Sequence, residues 1–191
     1  MGYTHYWYRL KEYPIKQFRK VIDDFLAVLP EIEGLGVKLK GWDGRGEPII
    51  NYEEVRFNGD SNCNHNEFKV EYLIEPRICH GDCSHETFAF PRVFNTAYPI
   101  KLARYYLDCC KTAYKPYDLA VTTFLVIAKY HFEDDILLTS DGSQHDWMDA
   151  INLVDDFLGY GEVMTIEEEI GKIKLLESRE SRLFKCIPNK Y

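Results

Sequence analysis

Cys63 and His65 stand one residue apart, and Cys79 and Cys83 follow in a second short run that ends on His85. Sulfur and imidazole donors spaced this closely suit zinc, which takes four of them in a tetrahedron. Four ligands drawn from Cys63, His65, Cys79, Cys83 and His85 would close such a site, with Cys63, His65, Cys79 and Cys83 the leading set. The expected role is structural, because a catalytic zinc keeps one coordination position open. Cys-x-His and Cys-x3-Cys are looser patterns than paired Cys-x2-Cys, so the spacing alone matches no strict template.

A second constellation is Lys111-Thr112-Ala113-Tyr114-Lys115-Pro116, read as a strand end, a turn and a helix start. The first N–H groups of a helix are unpaired and carry the positive end of its dipole. Two lysines and a Thr hydroxyl beside such an end make an anion site, so Lys111, Thr112 and Lys115 are candidates to hold a phosphate or carboxylate, with Asn58 as a neighbour. The bland alternative leaves both lysines solvated, with Asp118 stabilising the first helical turn. His5 and His85 are the candidates for proton transfer near neutral pH. Equally, Tyr3, His5 and Trp7 alternate along a strand, and His5 is then a hydrogen-bonded member of a sheet face. A Mg²⁺ site could draw on Asp134, Asp135, Asp141, Asp146 and Asp149, although acidic residues around a turn more often cap helices. The glycine-rich phosphate loop, the serine nucleophile elbow and the HExxH pair are absent from the sequence.

These residues need a scaffold, and the totals bound it. A chain of 191 residues, 46% hydrophobic and 28% charged, is globular and the size of one domain. Its 14 Tyr and 11 Phe suit sheet faces and wide packing surfaces. A net charge of −8 argues against a broad nucleic-acid surface. Charge is uneven: residues 116–170 hold 13 acidic residues and one basic, Lys129, whereas Arg92, Lys101, Arg104, Lys111 and Lys115 lie just before. A local cationic site on an acidic body is therefore expected. No apolar run reaches the roughly 18 residues of a membrane span, and the N-terminus lacks a signal-peptide layout. A cytoplasmic protein with reduced thiols follows, the adjacent Cys109 and Cys110 being read as buried and inert.

Alternation predicts a strand over residues 3–10, and an apolar stripe on Ile15, Phe18, Ile22, Phe25, Leu26 and Leu29 predicts a helix opened by Pro14. Short strands follow at 37–42, 53–57, 85–90 and 105–111, with a further one at 68–74 inside the irregular stretch. Residues 117–130 are apolar nearly all round, which predicts a central, buried helix. A strand at 136–139, a helix striped by Trp147, Ile151, Val154 and Leu158, and a last helix capped by Thr165 and Glu168 complete the order. The fold class is α+β, with a single mixed or antiparallel sheet of about five or six strands packed with three to four helices. Residues 1–178 form one domain with a Cys/His excursion at 60–84, and 179–191 are a basic tail.

The opening Met1-Gly2-Tyr3-Thr4-His5-Tyr6-Trp7 resembles a group of uncharacterised proteins of prokaryotes and their phages. Phe57-Asn58-Gly59, His85-Glu86-Thr87-Phe88, Lys115-Pro116-Tyr117-Asp118 and Ser140-Asp141-Gly142 carry the same resemblance. It implies a phage-related origin and no particular activity. Two function classes follow from the residues. One is an anion-binding pocket acting on a nucleotide or nucleic-acid end by phosphoester chemistry. The other is a non-catalytic adaptor or inhibitor, of mobile-element origin, that binds another protein.

Overall fold

A computed structural model describes residues 2–64, 77, 79–160 and 165–185. Its elements run β1 (Thr4–Arg9), α1 (Ile15–Gly34), β2 (Leu39–Lys40), β3 (Ile49–Ile50), β4 (Glu54–Gly59), β5 (Phe88–Pro91), β6 (Ile100–Leu102), β7 (Tyr105–Lys111), α2 (Asp118–Phe132), β8 (Ile136–Ser140), α3 (Met148–Leu158) and α4 (Ile166–Lys185). The α+β class holds, but the strands make two four-stranded antiparallel sheets rather than one. The first has the order β6-β7-β1-β8. In the second, β4 is the hub and pairs with β2, β3 and β5. The expected strand at 68–74 lies outside the described residues. The last helix extends through Lys185, past the expected start of the tail at 179.

The alternation of β1 sets the core. His5, Trp7 and Arg9 are buried, while Thr4, Tyr6 and Tyr8 are half-buried on the other face. Against the buried face lie α1 and α2, which join residues of both sheets in one hydrophobic core. An aromatic layer fills it, with Phe124 5.1 Å from Phe90 and 5.3 Å from Phe25 between ring centroids. As its sequence requires, α2 is sunk almost entirely, with Asp118 through Lys129 all buried. Pro30 is tolerated inside α1, which continues to Gly34.

The opposite face of the first sheet is covered by α4, whose Ile173 joins Leu102, Tyr105 and Leu137 in a smaller cluster. The same alternation corrects the reading of the cysteine pair. Cys110 faces the core and is buried, but Cys109, one residue along the strand, is exposed. None of the five described cysteines is in a disulfide.

Asp108 sits on the core-facing side of β7, opposite Trp7 of β1. Burial lifts its carboxyl from 3.8 to about 6, against the opposing pull of the Cys109 amide and the Arg9 guanidinium. Because the folded state disfavours the ionised form, the destabilisation is complete above pH 6 and vanishes towards pH 4. Asp108→Asn is therefore expected to raise stability at pH 7.5 by roughly 1–3 kcal/mol and to change little near pH 4. Urea midpoints at the two pH values check this, and equal midpoints at pH 7.5 would mean that the carboxylate is solvated.

Candidate functional site

Most of the residues singled out in the sequence lie around one junction, where the ends of β1, β4 and β7 meet the start of α2. Asn58 is buried at the end of β4 and clamps the segment before β5. Its Nδ2 donates to the His85 carbonyl at 2.9 Å and to Thr87 Oγ1 at 3.2 Å, and its Oδ1 accepts the His85 amide at 3.0 Å. The next residue must be glycine. A Cβ at position 59 would lie 2.0 Å from the Cys83 carbonyl oxygen and 3.2 Å from the Tyr117 ring. That close approach lets the Cys83 amide bond the Asp60 carbonyl at 3.0 Å.

The approach also gathers the thiols. The sulfurs of Cys63, Cys79 and Cys83 lie within 4.8 Å of one another, with Cys79 and Cys83 buried. Cys63 Sγ is 3.0 Å from Cys79 Sγ. Zinc–sulfur bonds of about 2.3 Å in a tetrahedron place sulfurs about 3.8 Å apart, so the cluster has the dimensions of a metal site. Three close cysteines can thus hold a metal ion. His65, the expected fourth ligand, lies outside the described residues. His85, the other imidazole considered, is not in the cluster; its Nδ1–H donates to the Lys111 carbonyl at 2.8 Å.

His5 and His85 are not brought together as a catalytic pair. His85 is exposed, whereas His5 is wholly buried and donates from Nε2 to Asp118 Oδ1 at 2.7 Å. The His5 ring meets Tyr3 and Trp147 edge-on, with centroids 4.8 and 5.0 Å away, and its Nδ1 has no hydrogen-bond partner among the described residues. Asp118 also accepts the Thr112 hydroxyl, and its Oδ2 takes Arg77 Nε at 3.1 Å. Arg77 Nη1 continues to Asp149 Oδ2 at 2.9 Å. Burial alone would raise the Asp118 carboxyl, but His5, Arg77 and Thr112 outweigh it and hold the group below the usual carboxylate range.

At the helix start expected to bind an anion, the Asp118 carboxylate lies in the buried network and no side chain among the described residues caps the helix. The Thr112 hydroxyl is committed to Asp118, and the Asp118 and Leu119 amides bond the Lys115 and Pro116 carbonyls at 2.9 and 3.4 Å. Lys115 Nζ donates to the Asp82 carbonyl at 2.5 Å. The Lys111 side chain packs beside Gly2, where an added Cβ would meet its Cε at 2.4 Å.

No protein family, curated protein or solved structure matches this chain. Its chemistry is therefore read from its own geometry. The five aspartates considered for Mg²⁺ are dispersed. Asp134 pairs with Lys172 and Asp135 with Arg104, Asp141 accepts the Thr4 amide, Asp146 closes a capping box with Ser143, and Asp149 takes Arg77. The sequence reading missed Arg77 and the linking role of Asp118. Neither had a local signal, since Arg77 meets partners 41 and 72 positions away. No helix among the described residues is long and apolar enough to cross a membrane.

Proposed function

We propose that this chain is a zinc-binding protein of the adaptor class, in which the metal is structural and function is exercised by binding another protein. The observation that carries the reading is the three-sulfur cluster of Cys63, Cys79 and Cys83, all within 4.8 Å. A set of three thiolates is soft and favours zinc over the hard cations that oxygen ligands take. Loaded, the metal would tie residue 63 to the 79–83 segment that β4 holds through Gly59 and Asp60. The best-formed acid–base pair supports a non-catalytic role, because His5 and Asp118 are both fully buried and so out of reach of a substrate. Exposed aromatics, Trp42 at 69% and Tyr98 at 92% of full accessibility, suit a surface that meets another protein.

Purified protein is expected to carry one zinc per chain by elemental analysis, and Cys79→Ser/Cys83→Ser to carry none. Metal-free wild type, or zinc retained by the double variant, would overturn the metal assignment. Turnover of phosphomonoesters that is lost in His85→Ala would overturn the non-catalytic reading and restore the phosphoester one.

A further inference from the structure

A second feature lies away from the cysteine cluster, where the end of β1 and the 93–101 segment meet the β6–β7 hairpin. A cavity of about 220 Å³ opens there, with Lys11, Lys101, Phe94, Tyr106 and Pro99 among its lining residues. Strand pairing builds it. Lys101 faces Tyr106 across β6 and β7, and Tyr106 in turn faces Arg9 across β7 and β1. The Phe94 amide bonds the Lys11 carbonyl at 2.7 Å, which seats the Phe94 ring 5.7 Å from the Tyr106 ring. Lys101 Nζ stands 4.7 Å from the centroid of the same tyrosine.

The charges here are unbalanced. Among the described residues neither Lys11 nor Lys101 has a carboxylate within 4.0 Å, on a chain whose net charge is −8. Behind Phe94 lies Arg9, fully buried, with its guanidinium carbon 5.5 Å from the Phe94 ring. Arg9 bonds only carbonyls, those of Leu10, Pro91 and Arg92, and its Nη1 has no partner among the described residues. Of the neighbouring carboxylates, Asp108 attracts Arg9 and accepts the Cys109 amide, and Glu12 and Glu53 pair with Arg92. Two lysines with aromatic walls and no carboxylate within 4.0 Å make a site of local positive potential, to which the buried Arg9 behind Phe94 adds a charge that Asp108 offsets in part.

The volume bounds the ligand. A cavity of about 150 Å³ takes a benzene ring, and sites for larger organic ligands start near 300 Å³. The 220 Å³ here suits one ring with one anionic group and is too small for a nucleotide. We propose that the Lys11–Lys101–Phe94–Tyr106 cavity is a binding site for a small aromatic anion, an aryl phosphate or aryl carboxylate, whose ring lies against Phe94 and Tyr106 and whose charge is met by the two lysines.

The full-length protein is titrated by calorimetry with phenyl phosphate, benzoate, inorganic phosphate and phenol, with amide chemical shifts recorded in parallel. Phenyl phosphate is expected to bind about ten-fold or more tighter than inorganic phosphate or phenol, because each of those lacks one half of the recognition. Shifts should centre on residues 94–96 and 101–106. Lys11→Gln/Lys101→Gln, at two exposed positions, should keep the fold and weaken phenyl phosphate at least about ten-fold. Comparable affinity for benzoate identifies the carboxylate as an equal ligand, and binding of phenyl phosphate alone narrows the class to phosphates. No binding by any probe, equal binding by the double variant, shifts centred elsewhere, or phosphate binding as well as phenyl phosphate would each overturn the proposal. None of these results depends on zinc, so the two proposals stand or fall separately.

Discussion

Replacing Asp118 with Ala is expected to destabilise the protein by about 3–5 kcal/mol, the range for removing one partner from a buried ion pair. The carboxylate is at 0% exposure and receives His5, Thr112 and Arg77, so truncation leaves three buried donors short of an acceptor at once. Arg77 retains Asp149, but a guanidinium at 1% exposure then loses the Asp118 carboxylate from its surroundings. Asp118→Asn keeps the shape and places an amide donor among donors, so it should recover only part of the loss. The pH dependence has a definite sign. Because the folded-state value lies below the ordinary 3.8, the ionised group contributes its stability above pH 3.8, and the contribution fades as pH falls through the lowered value. Urea unfolding at pH 7 and in acid measures both effects. A loss under about 1 kcal/mol at pH 7 would mean that the network is slack or solvated.

Glu169→Ala is expected to cost a similar amount, about 3–5 kcal/mol, and to loosen α4 first. Glu169 is 1% exposed and bridges three elements. Its Oε1 lies 3.0 Å from Lys129 Nζ of α2 and 2.9 Å from Lys172 Nζ, and its Oε2 accepts the Leu138 amide of β8 at 3.2 Å. Burial pulls the Lys129 ammonium below its usual value, and Glu169 is the chief group opposing that. Without the carboxylate, Lys129 keeps, among the described residues, the carbonyls of Glu133 and Ile136 and the more distant, exposed Asp134. Hydrogen exchange should show α4 amides losing protection before those of α2. Replacing both partners with apolar residues, Lys129→Met/Glu169→Leu, should recover much of the loss, since it removes the buried charge together with its need for a partner. Unchanged α4 protection in Glu169→Ala would show that Ile166 and Ile173 alone dock the helix.

Period-based features were legible in the chain. The alternation of β1 and the all-round apolar surface of α2 each follow from local sequence, because strand and helix periods fix which side chains share a face. The stop at Gly159 was legible too, since φ +76° there is a conformation few residues but glycine adopt cheaply. The cationic excess before residue 116 was also visible, but its use was not. Arg92 is spent on Glu12 and Glu53, Arg104 on Asp135, and Lys115 on a carbonyl. Lys101, by contrast, is left at a cavity beside Lys11, a residue 90 positions earlier.

By itself, then, the sequence determined the helices, the longer strands and the donor types: that Cys63, Cys79 and Cys83 are candidate metal ligands, and that Asp118 opens a helix close to Thr112, whereas the short strands β3 and β6 carried no signal that was read. Only the tertiary structure decided how these were spent. Division into two sheets depends on β4 pairing with β5 across 28 intervening residues, 60–87, and no local period encodes which strand partners which. At the α2 start, Arg77 and His5 arrive from distant segments to meet Asp118, and Thr112 is drawn into that buried network. Burial is the physical reason in each case. It makes unpaired charge costly, and which charges become buried is a property of the packed chain.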